Sequence, residues 1–172
     1  MRTVAHHEIQ ESIDKINGMS EKDTHSFMKQ MSEEQPYIQI YVAAICDRGD
    51  FENENDADAF ANLASIIWCA MRMAAGVKIH QVAGGEIDKR EAQQMKLYTY
   101  AEGEPEDGVS RLVESWMKDY NQRPMLEYVL EALMSPEHPH HATTEGSGLI
   151  FTYLKVIIDC LDNAKISQSV MI

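Results

Sequence analysis

Residues 57–75 read A-D-A-F-A-N-L-A-S-I-I-W-C-A-M-R-M-A-A, a run with almost no polar side when wound at helical spacing. Phe60, Leu63, Ile66, Ile67, Trp68, Cys69, Met71 and Met73 spread around the whole circumference. A helix that is apolar all round must be covered on every side. The alanines at 57, 61, 64 and 70 let neighbouring helices come close. A second such element runs from 144 to 165, carrying Leu149, Ile150, Tyr153, Leu154, Ile157, Ile158 and Leu161. Helical periodicity recurs nearly everywhere else and β-type alternation almost nowhere. The expected fold is therefore all-α, with residues 1–172 forming a single-domain bundle of about seven or eight helices. The two nearly all-apolar helices, 57–75 and 144–165, form its centre, and residues 1–19 are read as a peripheral N-terminal helix.

The remaining elements follow from local start and stop signals. Ile9, Ile13 and Ile16 mark a first helix that Asn17-Gly18 can end as a left-handed cap. Ser20 with Asp23 predicts a reciprocally capped second helix bearing Phe27, Met28 and Met31. Pro36 opens a third and Pro124 a seventh, positions where a missing N–H costs nothing. Asp56 is read as the cap of the 57–75 helix and Asp88 as the cap of a fifth helix ending near Gly103. A sixth helix is predicted over 105–120, with Val109, Leu112, Val113, Trp116 and Tyr120 on one face.

Composition narrows the function classes. With 28 acidic and 15 basic residues the net charge is −13, which disfavours nucleic acid, because phosphate binding depends on Lys and Arg. Anionic membrane surfaces are disfavoured for the same reason. Arg72, Lys155 and Asp159 break the two most apolar runs, so no membrane span is expected. Cys46, Cys69 and Cys160 are odd in number and widely spaced, and the first ten residues contain no apolar leader run. Both features point to a cytoplasmic protein. The acidic run Asp50, Glu52, Glu54, Asp56 and Asp58 lies between two helices, as a calcium loop would. Counting from Asp50, however, Asn55 replaces the required Gly and Ala61 the bidentate Glu, so it reads as a connector and helix start.

Chemistry-bearing side chains gather once, in S-P-E-H-P-H-H-A-T-T-E at 135–145. His138, His140 and His141, with Glu137 and Glu145, are candidate ligands for a divalent transition metal. Pro139 favours an extended backbone, in which His138 and His140 can face one centre, and His6, His7 or His80 would supply a second anchor. G-S-G at 146–148 precedes an apolar helix whose amides can receive an anion, although two glycines there more simply allow close packing. No nucleophile motif or phosphate loop accompanies them.

No residue pattern names an activity. The expectation is a helical protein that acts through protein–protein contact or homo-oligomerisation, without a cofactor and not as an enzyme. The alternative is a metal-binding protein or metal-dependent enzyme built on the histidine segment. The oligomer argument rests on the two central helices, because any side the chain leaves bare must be covered by a symmetric partner.

Overall fold

The computed structural model describes residues 1–51, 53–102 and 117–165, apart from the side chains of Glu102, Thr144 and Glu145. These residues form α1 (His6–Asn17), α2 (Glu21–Glu34), α3 (Pro36–Asp47), α4 (Glu54–Ala75), α5 (Gly84–Glu102), α6 (Arg123–Met134) and α7 (Thr144–Asn163). The architecture is all-helical, with no β-strand among the described residues. The helix expected over 105–120 falls largely on residues 103–116, outside that description.

Helix ends follow side-chain chemistry. Ser20 Oγ accepts the Asp23 N–H at 3.3 Å and the Asp23 carboxylate accepts the Ser20 N–H at 3.4 Å, the reciprocal pattern its sequence predicts. α4 begins earlier than expected. Asn53 is its cap, accepting the Asp56 N–H at 2.9 Å, so Asp56 lies inside the first turn. Gly76 closes α4 in the left-handed conformation at φ 65°. Gly18, by contrast, has φ −89°, so α1 ends without a left-handed cap. α5 starts at Gly84, ahead of Asp88, although glycine is a poor helix former. Packing compensates, because Gly84 lies under the Tyr37 ring, where an added Cβ would sit 3.4 Å from Cδ1.

The core forms around α4 and α7, which pack on each other. From Ile150 to Leu161 every residue of α7 is buried, and on α4 the same holds from Ile66 to Met71. α5 and α6 also pack on α7, while α1 and α3 pack on α4. Both apolar helices are thus covered from within one chain, and neither needs a second copy to hide it. Trp68, Phe60, Leu63, Ile67 and Met71 are at most 2% exposed; each large side chain so buried contributes about 1.5–3 kcal/mol of transfer free energy.

α1 lies along α4, with Val4, Ile9 and Ser12 buried. Gln122 ties the segment before it in place, accepting the Val4 N–H at 2.9 Å and donating to Arg2 O at 3.0 Å. α2 buries only Phe27 and Met31, with Phe27 set edge-on to Trp68 at 5.0 Å. Among the described residues no helix is long and apolar enough to cross a membrane.

Candidate functional site

The histidine segment begins where α6 runs out of hydrogen-bond partners. The last carbonyls of a helix lack intrahelical donors. At α6, Ser135 N–H donates to Glu131 O at 2.9 Å and Ala142 N–H to Leu133 O at 3.2 Å. His141 Nδ1 lies 3.0 Å from the same Leu133 oxygen. A carbonyl only accepts, so His141 carries a proton on Nδ1 and caps the helix. His138 N–H donates to Ser135 O and His141 N–H to His138 O, both at 3.0 Å. The segment is two successive tight turns fastened to the end of α6.

The rings of His138 and His140 do come together, 5.4 Å apart between centroids, and Tyr128 stands edge-on to His138 at 6.0 Å. His138 Nδ1 accepts the His140 N–H at 3.2 Å. A neutral ring that accepts at Nδ1 holds its proton on Nε2 and keeps no free lone pair for a metal. Burial lowers the pKa of both histidines; Glu131 opposes this at His138, and His138 adds to it at His140. His141 is exposed and engaged with the α6 carbonyl, while Glu137 is exposed on the turn. Glu145 belongs to the first turn of α7, and its side chain lies outside the described residues. Among the described residues, no three His, Cys, Asp or Glu side chains gather as a metal-binding group.

Three polar clusters escaped the sequence reading. Asp56 is 1% exposed. Its Oδ1 accepts the Thr143 N–H at 3.0 Å, while Oδ2 accepts the Thr143 hydroxyl at 2.7 Å and Asn53 Nδ2 at 3.2 Å. Thr143 in turn caps α7 by accepting the Gly146 N–H at 3.0 Å. The anion at the start of α7 is thus the protein's own carboxylate, favourably placed at the positive end of the helix. Gly146 is what admits it, since a Cβ there would lie 2.3 Å from Asp56 Oδ2.

The second cluster is buried on the flank of α7. Asp159 Oδ2 accepts from Lys155 Nζ and Gln94 Nε2, both at 2.8 Å, and Oδ1 accepts from the Tyr120 hydroxyl at 2.7 Å. Lys155 Nζ also lies over the Tyr120 ring, 4.6 Å from its centroid. Burial, with the Asp159 charge behind it, drives the Tyr120 hydroxyl well above its ordinary pKa. The only sequence signal was an opposite-charge pair four residues apart in an apolar helix.

In the third, Tyr153 donates to Asp50 Oδ2 at 2.7 Å and Arg48 to Glu91 at 2.6 Å. Tyr41 stands edge-on to Tyr153 at 6.3 Å, and its buried hydroxyl has no hydrogen-bond partner among the described residues. Among the described residues Asp56 and Asp159 each accept three donors. They join helices, and every one of their oxygens already accepts at least one donor. Set against known proteins, the chain matches no protein-family model, no curated protein and no solved structure.

Proposed function

We propose that this protein works through contact with another protein, and that the outward side of α3 makes the contact. One observation carries the reading. Tyr37 and Ile40, one turn apart, are 49% and 63% exposed on a helix that buries Ile38, Tyr41 and Ile45. Single exposed apolar residues are normal, but a tyrosine and an isoleucine side by side, with exposed Ala43 in line, form a patch. Tyrosine is enriched at interfaces because it offers broad apolar area with a polar tip. Both central helices are covered within the chain, so this patch is not needed to complete the core.

The test places a photo-reactive amino acid at position 40, with a control at exposed Glu11 on α1, in cells that make the protein. Sedimentation of the purified chain runs in parallel. The expected result is a discrete cross-linked product from position 40 that the control does not give. Equal yields from both positions, with a monomer in sedimentation, would remove the proposal.

A further inference from the structure

We infer that the occupant of this face is a positively charged amphipathic helix of a different protein, an inference that rests on the contact reading above. Asp47 lies two turns beyond Ile40 on the same side of α3 and is exposed. On α5, Asp88 lies one turn beyond Gly84, the residue under the Tyr37 ring, and is also exposed. Neither aspartate enters an ion pair among the described residues. The nearby cation Arg48 is tied to Glu91 at 2.6 Å, which neutralises it. Exposed Lys89 adjoins Asp88 in sequence and so points about 100° away around α5.

The patch thus has an apolar centre with unpaired carboxylates on two margins. A second copy of the chain would bring the same carboxylates and a further −13 of charge, so like-charge repulsion opposes self-association through this face. A partner helix with apolar side chains at i and i+3 or i+4 would cover Tyr37 and Ile40, and flanking Lys or Arg would meet Asp47 and Asp88. From Tyr37 to Asp47 the face is about 15 Å long, roughly three turns of such a helix.

The probe is a pair of synthetic helical peptides with one leucine pattern, one carrying lysine on its polar side and the other glutamate. Each is titrated into ¹⁵N-labelled protein at about 50 mM and about 300 mM salt, conditions between which exposed charge pairs become strongly screened. Expected are amide shifts confined to residues 37–47 and 84–88 with the lysine peptide and none with the glutamate peptide. Affinity should fall with salt, and by about tenfold in the Asp47→Lys/Asp88→Lys variant. Circular dichroism of each variant verifies that it folds. If both peptides bind alike at α3, or the double variant binds the lysine peptide unchanged, the charge inference fails while the contact reading stands. If neither peptide shifts α3 and position 40 gives no cross-link, both fail. Sedimentation showing a dimer that Ile40→Glu dissolves would make the occupant a second copy and overturn the inference.

Discussion

Gly146 sets how closely the buried Asp56 carboxylate can approach the start of α7. In Gly146→Ala the new methyl would meet Asp56 Oδ2 at 2.3 Å and Thr143 Oγ1 at 2.9 Å, so the carboxylate must leave its donors. Displacing a hydrogen-bonded buried group costs about 1–3 kcal/mol, more when it is charged, and urea unfolding should show a loss of at least that size. In an Asp56→Ala background the same glycine substitution should cost much less, a coupling that a double-mutant cycle measures. Additive effects would mean that the contact is not what constrains position 146. Little of this was legible beforehand. The G-S-G hinted at close approach, but its partner is distant in sequence and reads there as a helix cap. The histidines were legible as a cluster, yet their roles depend on ring nitrogens whose partners are the backbone of the turn and of α6. No residue pattern encodes which nitrogen faces which carbonyl.

Within α7, Lys155 and Asp159 are the only charges between Ile150 and Leu161. Removing one partner of a buried pair strands the other, at a cost of about 3–5 kcal/mol. Asp159 keeps Gln94 and Tyr120 as donors, so Lys155→Met should fall near the lower end of that range in chemical denaturation. Lys155→Met/Asp159→Asn should recover part of the loss, because no charge is then left alone and the amide oxygen still accepts from Gln94 while its NH2 can donate to the Tyr120 oxygen. A double variant worse than the single would show that the pair stabilises the helix beyond its own desolvation cost. Helix starts at Ser20, Pro36 and Pro124 were readable because each depends on chemistry within four residues. The start of α4 was misplaced because Asn53 and Asp56 are equally good caps on sequence alone. The start of α5 was misplaced because two glycines look like a break until Tyr37 is laid on one of them.

Over the whole molecule, the titrating groups predict a two-step loss of stability in acid. Burial lowers the pKa of His138 and His140 from the ordinary 6.5. The unfolded chain therefore takes up protons first, and stability falls as pH drops below about 6.5 until the folded values are passed. Glu8 is lowered by its hydrogen bond from Arg2. At Glu34 burial pushes upward, but hydrogen bonds from Arg72 and Gln30 outweigh it. Their contribution is complete above the ordinary 4.5 and is lost below it, as pH falls through the folded values. Thermal unfolding against pH should show both steps, and His138→Asn/His140→Asn should flatten only the first. Superimposable profiles would refute the assignment. The all-α architecture itself was legible, since two long helices without a polar side admit few other arrangements. What they could not reveal was the source of their cover, because an apolar surface states that it must be hidden and not by which chain.

The position of α7 at the centre of the packing has a consequence for synthesis. Helices α1 to α6 leave the ribosome before the element on which α4, α5 and α6 converge. Until Ile150–Leu161 follows them, the nascent chain carries an open apolar groove and Asp56 has no Thr143 to hold. The native core therefore closes late, when α7 enters that groove. Until then the groove is a natural substrate for chaperones, which bind such exposed surface.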